Sequence, residues 1–433
     1  MRNIYLIISV LVSFFTFSQI KKETIQSLKL KTSREITIKL PKSFSAKPDK
    51  KYPLILVLDS EYLFAPFEGN LSYGNYWDDI PEVILVGINQ NKSDERYADS
   101  EFDAKAGVPI NNGAAFFEFI GAELLPFLEK NYRITPFRII AGHDVTAGLL
   151  NAFLYKENPI FTGYISLSTD LAAGMNERIP LALAATKQPL FYYHCTADGD
   201  LKKFQAKLKS FDKNMQEVKN EFLNYKFDDF RNATHYSLPI QGIPSALYQI
   251  FSVYQPISST EYTDKIAIMP NNHVKYLSDK YELIEKGLGI KMNIRLNDFK
   301  AIENAILKSG DFKGYEELAQ LSGQQYEKSM LYDYHMAMYY EKTNNLKKAM
   351  DSYKSAFMKE EIRDLTKDMM MNKAEDIKRL IPTKSKGLKG GKAKEIIEDV
   401  PAEAPATDTP AAETPAETPT DAPLEIPKEE KKP

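Results

Sequence analysis

Residues 138–150 read RIIAGHDVTAGLL, the pattern of a buried strand, a sharp turn and the start of a helix. Many hydrolases use that local shape to hold a nucleophile at the tip of a strained turn. The turn needs small residues two places before and two places after the tip, as in GxSxG, because the helix passes close to the strand. Gly142 and His143 stand as the pattern requires, but Asp144 occupies the place of the attacking serine and Thr146 that of the second glycine. Ala147 and Gly148 restore smallness only further along. The nearest hydroxyls in sequence, Thr146 and Ser168, do not fall at the tip.

The elements that would position this turn alternate in type from about residue 20 to 255. SREITIKLP, 33–41, alternates like an exposed antiparallel strand, whereas YPLILVLD, 52–59, and EVILVGI, 82–88, are continuous apolar runs suited to central parallel strands. AAFFEFIGAELLPFLEKNY, 114–132, has helical spacing and leads into RIIAG; GYISLST, 163–169, and PLFYYHCT, 189–196, are again buried strands. The order is that of a mostly parallel sheet with helices on both faces, an α/β fold. From about 275 to 380 the chain becomes helical, and Ala337, Tyr340, Ala349, Tyr353 and Ala356 fall at the spacing of one tetratricopeptide-like (TPR-like) hairpin, with a plain helical bundle as the equal alternative. One hairpin cannot bury its own apolar faces, so it should lean on the preceding helices or on the sheet domain.

The chain of 433 residues, 43% of them hydrophobic, can bury a sizeable core, and its net charge of −3 gives no basic surface for nucleic acid. The N-terminus, MRNIYLIISVLVSFFTFSQ, has an early Arg2, an apolar run and small residues before Gln19, the pattern of a secretory signal peptide cut after Ser18. The run is shorter than the roughly 20 residues that span a bilayer, so the exported chain is not expected to cross a membrane itself. A single cysteine, Cys195, excludes an internal disulfide and a thiolate-built zinc site. No histidines and carboxylates fall at metal-ligand spacing, so neither a metal nor a cofactor is expected, and His273 reads as a surface residue. KSKGLKGGKAK is a linker, and the Pro, Ala, Thr and Glu tail after it is too polar to order itself. The expected division is a signal peptide, 1–18, an α/β domain, 19–258, a helical extension, 259–383, and a disordered tail, 384–433.

LLPFLEKNYRITPFRIIAGHDVTAG together with NATHYSLPIQGIPSALYQIF resembles the esterase family of the α/β-hydrolase fold, related to S-formylglutathione hydrolase and enterochelin esterase, in the form exported by Bacteroidota with a helical C-terminal extension. In that family the turn reads GHSxGG. The resemblance makes His235, in THYSLP, the general base, and places the acid that orients it at Asp198 or Asp200, in ADGD, with Asp200 preferred. Either aspartate could instead cap the helix LKKFQAKLKSF. The oxyanion would face the backbone N–H of Val145 and one from the DSEYLF turn after Asp59, where Ser60 replaces a frequent family glycine. The loop at 89–103, with Arg96 and Asp99, lies where the family builds its substrate pocket, although such a polar loop is usually only solvated.

Three readings of Asp144 then compete. It is a nucleophile, as on related folds that attack carbon through a carboxylate; or the chain hydrolyses esters by another group; or the domain has lost its chemistry and Asp144 pairs with His235. The last is the favoured expectation: a degenerate triad of Asp144, His235 and Asp200 in a pseudoenzyme that serves as scaffold or accessory subunit of a cell-envelope complex, in the periplasm or at the outer membrane.

Overall fold

Three of the six parallel strands have sequences that are apolar on both sides. In the computed structural model, which describes residues 20–90 and 94–382, β3 (Tyr52–Val57), β4 (Ile84–Ile88) and β6 (Gly163–Leu167) are buried at every position. With β5 (Ile134–His143), β7 (Leu190–Gly199) and β8 (Leu223–Thr234) they run in parallel, and the sheet is completed by the antiparallel pair β1 (Ile20–Ser27) and β2 (Thr32–Lys39). The strand order is β1-β2-β4-β3-β5-β6-β7-β8. The expected mostly parallel sheet is therefore present. The reading of 33–41 as an antiparallel strand holds, but its exposure is corrected: β2 lies between β1 and β4, and Ile36 and Ile38 are fully buried in the face cluster that includes Phe116 and Phe119.

Both faces of the sheet are covered. One face packs Phe116, Phe119, Leu128, Leu149, Phe153, Phe204 and Leu208 from the helices between strands. The other receives helix α1 (Ser60–Tyr76) and helix α4 (Leu238–Ile250), the latter through Leu238, Ile243, Leu247 and Ile250. Between these in the chain come α2 (Val145–Leu150), which follows β5, and α3 (Lys202–Gln216), which follows β7.

The helices after residue 258 continue the second core. Helices α5 (His273–Leu288), α6 (Leu296–Ser309), α7 (Gly314–Gln325), α8 (Leu331–Lys342), α9 (Leu346–Phe357) and α10 (Lys367–Leu380) contribute Leu277, Ile284, Phe299, Ile302, Leu318 and Tyr353 to the same apolar cluster as Ile139 and Leu167 of the sheet. Ala337, Ala349, Tyr353 and Ala356 are fully buried at the facing sides of α8 and α9, as the hairpin spacing predicts, whereas Tyr340 is only partly buried. Polar ties fix the join. Thr135 donates to the Leu288 carbonyl at 3.1 Å, and the half-exposed Asp78 accepts from Arg295 and from the Tyr254 hydroxyl. Gly289 ends α5 with φ 67°, and a Cβ there would come within 2.8 Å of Thr135, so this position needs glycine both for its backbone and for its space. Buried Asp298 accepts from Tyr281 at 2.7 Å and from the Ile257 N–H at 2.9 Å, anchoring the segment that leaves the sheet domain. His273, expected at the surface, is instead buried, and its Nε2 meets the Met269 carbonyl at 3.1 Å; an imidazole at the start of α5 closes the preceding turn. The expected signal peptide and tail lie outside the described residues. Among the described residues no helix is long and apolar enough to cross a membrane.

Candidate functional site

The turn after β5 has the strained geometry that the sequence predicts. Asp144 sits at φ 61° and ψ −120°, between β5 and α2, a conformation that costs a non-glycine residue of order 1–3 kcal/mol and persists only where its surroundings enforce it. They do so here through backbone bonds, with Asp144 N–H to the Leu167 carbonyl at 3.0 Å and Asp170 N–H to the Asp144 carbonyl at 3.1 Å. Gly148, not residue 146, supplies the close approach: a Cβ at 148 would strike the Asp170 carbonyl. Thr146, in the place of the family glycine, is fully buried. It accepts the His143 N–H at 3.0 Å and donates to Asp59 at 2.5 Å.

The family-implied base and its acid meet. His235 Nδ1 lies 2.8 Å from Asp200 Oδ1 at the ends of β8 and β7. Asp200 also accepts from Thr196 and from the Leu201 N–H, each at 2.8 Å, and from Ser168, whose hydroxyl reaches both carboxylate oxygens and stands 3.0 Å from His235 Nδ1. Burial raises the Asp200 carboxyl, but His235, Ser168 and Thr196 more than offset it, so it lies below the usual carboxylate range. Asp198 faces elsewhere and accepts the Asn232 N–H at 3.0 Å. Neither aspartate is the N-cap of α3, a position held by Leu201.

Asp144 does not pair with His235 as expected; its partner is Arg96. The guanidinium bonds Asp59 at 2.6 Å through Nε, approaches Asp144 Oδ2 at 3.4 Å through Nη1, and donates to the His143 carbonyl at 2.9 Å and to the Tyr62 hydroxyl at 3.3 Å through Nη2. It thus bridges the turn after β3 and the turn after β5, the two segments whose N–H groups would face an oxyanion. The Asp59 N–H is already bonded to Gln90 Oε1 at 3.1 Å. Burial raises the Asp59 and Asp144 carboxyls above their ordinary values, with Arg96 opposing in both cases.

His143 closes the cluster. Its Nε2 donates to the His235 carbonyl at 3.1 Å, and its Nδ1 stands 3.1 Å from the Tyr62 hydroxyl, which donates its one proton to Asp59 at 3.0 Å. Burial, with the Arg96 charge acting in the same direction, pushes this imidazole down to about 3, so it is neutral at neutral pH.

The loop at 89–103 is not simply solvated, as its polarity suggests. Asp99 is buried against Arg34 at 2.9 Å, and burial pushes its carboxyl up to about 6 despite that partner. Gln90 joins the two halves of the network, donating to Asp99 at 3.0 Å while it accepts from Asp59. Tyr62 and Gln90 carry no signal as site residues in the sequence, because contacts such as Tyr62–His143 and Gln90–Asp59 join positions 81 and 31 apart, and Ser168, read only as a nearby hydroxyl, is recruited by Asp200 and His235. The one available signal was a strand ending in an aspartate, which needs a cation from somewhere. Among the described residues no cluster of three or more His, Cys, Asp or Glu side chains is arranged to hold a metal ion.

The comparisons with known proteins fit this frame. The family model described as "Putative esterase" matches residues 27–159. An uncharacterised protein of known crystal structure from Capnocytophaga ochracea is 30% identical, with a TM-score of 0.76; the match covers 83% of this chain and 100% of that one. The chain belongs to the esterase family. An IroE-like serine hydrolase from Shewanella oneidensis, 18% identical with a TM-score of 0.53 over 71% of this chain and 96% of its own, shares the fold. No curated protein matches the chain. Within the esterase family pattern, the departures here are the carboxylate at the elbow tip and the threonine two residues on.

Proposed function

We propose that this esterase-family chain is an exported pseudoenzyme, silent towards esters, that acts as a scaffold or accessory subunit of a protein complex in the cell envelope, in the periplasm or at the outer membrane. One observation carries the reading: the tip of the elbow bears a carboxylate, 3.4 Å from the Arg96 guanidinium that buried Asp59 clamps at 2.6 Å. Acyl transfer needs a hydroxyl there and donors aimed at developing negative charge, and forfeiting such stabilisation costs about 3 kcal/mol or more. A fixed anion at the tip opposes that charge. The helical extension supports the scaffold part, since it prolongs the sheet core.

A second reading has its own support. The His235–Asp200 pair is in place, and the elbow keeps its strained backbone, which suits an Asp144 nucleophile attacking carbon with His235 activating water afterwards. The deciding experiment exposes the purified chain to p-nitrophenyl butyrate and to a haloalkane, with mass spectrometry for an ester on Asp144. Neither turnover nor adduct is expected, while affinity purification from native membranes should bring down a defined assembly. A covalent adduct on Asp144 would overturn the proposal.

A further inference from the structure

The mouth of the elbow holds two hydrogen-bond acceptors to which the surrounding chain offers no adequate donor. His235 Nδ1 faces the Asp200 carboxylate and so donates to it, and in the neutral ring Nε2 is then an acceptor. The side chain is only 7% exposed, yet among the described residues Nε2 has no hydrogen-bond partner. Asp144 Oδ2 has only the long contact to Arg96, and among the described residues Oδ1 has none. A serine would have matched the histidine by donating its hydroxyl; an ionised carboxylate cannot.

The charge around these acceptors is also unbalanced. Asp59, Asp144, Asp170 and Asp200 are met by Arg96, spent mainly on Asp59, and by Lys203, 3.7 Å from Asp170. The rim is aromatic and open. Tyr62, Tyr97 and Tyr236 are 41%, 62% and 86% exposed. Their rings lie beside the cluster: Tyr62 edge-on to His143, Tyr97 against Arg96 and Tyr236 edge-on to His235.

We infer that the elbow mouth binds a primary ammonium, presented as the lysine side chain of a partner protein. An ammonium has three donors and no acceptor, which suits one bond to Asp144 Oδ1 and one to His235 Nε2. Its methylene stem suits a tyrosine rim, where a cation gains from the ring faces as well. A guanidinium fits less well, because its planar fork seeks both oxygens of one carboxylate and Oδ2 already faces Arg96. The inference rests on the scaffold reading and supplies the chemistry of its partner.

The test is an NMR titration of the full chain, labelled at its histidine rings, with Nα-acetyl-lysine methylamide. The His235 signal is identified by its loss in His235→Gln. A saturable shift of that signal is expected with the lysine compound and not with the norleucine analogue. Asp144→Asn should weaken the affinity by at least about tenfold, as expected when the acceptor of a charged donor loses its own charge. An equal response to norleucine, or unchanged affinity in Asp144→Asn, overturns the inference and leaves the scaffold reading standing. Ester turnover by the wild-type chain would sink the scaffold reading without touching the titration.

Discussion

Replacing Arg96 by alanine should destabilise the fold at neutral and alkaline pH, and much less in mild acid. Arg96 is the cation of Asp59, which is 1% exposed and bonded to it at 2.6 Å. Breaking a buried ion pair by removing one partner costs about 3–5 kcal/mol, because the charge left behind has been stripped of water. Asp59 keeps the Thr146 and Tyr62 hydroxyls as donors, which places the expected cost at the lower end, about 3 kcal/mol. For a unit of this size that is about 3–6 °C in Tm. The pH dependence follows from the direction of the Asp59 shift. Burial already holds this carboxyl above its ordinary value, and losing the opposing Arg96 charge raises it further. A carboxyl with a raised folded-state value binds its proton more tightly when folded, so stability is lost as pH rises through that interval and regained as pH falls. The gap between variant and wild type should be full at pH 8 and should shrink as pH is lowered towards the ordinary carboxylate range near 4. Thermal unfolding followed by circular dichroism at pH 8 and pH 5 measures both quantities, with Arg96→Lys, which keeps charge but not the fork, falling between. An unchanged Tm at pH 8, or the same gap at both pH values, would refute the account of Arg96 as the cation that holds the elbow.

Asp144→Ser should gain slow hydrolysis of p-nitrophenyl butyrate, on the order of 10²-fold over the wild-type chain as expected for a positioned general base, and adding Asp200→Asn should remove the gain; no gain would mean that His235 is not poised. Gly289→Ala should cost about 1–2 kcal/mol in urea unfolding, since it forces a side chain into positive φ and against Thr135. Ser322→Ala should cost about 1–2 kcal/mol by removing the 2.9 Å bond to the fully buried His335, whose other nitrogen holds Glu303. A Ser322→Ala chain as stable as wild type would show that this helix-to-helix polar tie adds nothing.

How much of the fold could be read from the chain depended on how local its cause was. The runs at 52–57 and 84–88 are buried on both sides and say so in their composition, and Ala349, Tyr353 and Ala356 fall at hairpin spacing, with a plain bundle as the equal alternative. The burial of Ile36 and Ile38 in β2 was hidden because alternation describes a strand's own two faces and not what packs on them, here the cluster that includes Phe116 and Phe119. That the helical hairpin must lean on the preceding helices or on the sheet domain was legible, but the residues that make the join were not. Thr135 and Gly289, or Asp78 and Arg295, are unremarkable residues until packing brings them together.

At the elbow the tip residue was legible, but its electrostatic setting was not. A carboxylate in place of serine reads as a single lesion beside an otherwise intact His235–Asp200 pair. The structure shows instead a charge that is accommodated: Asp59 fixes Arg96, Arg96 faces Asp144 and ties down the His143 carbonyl, and Thr146 bridges His143 to Asp59. Thr146 therefore explains the lost glycine, since its hydroxyl does work there that a glycine could not, and Gly148 provides the close approach that the turn still needs. An anion in a half-buried turn would otherwise be costly, because burial disfavours the charged form unless a cation stands near. The carboxylate and its supports are thus physically interdependent: removing Arg96 should weaken the fold, whereas removing Asp144 should chiefly alter what the mouth can bind.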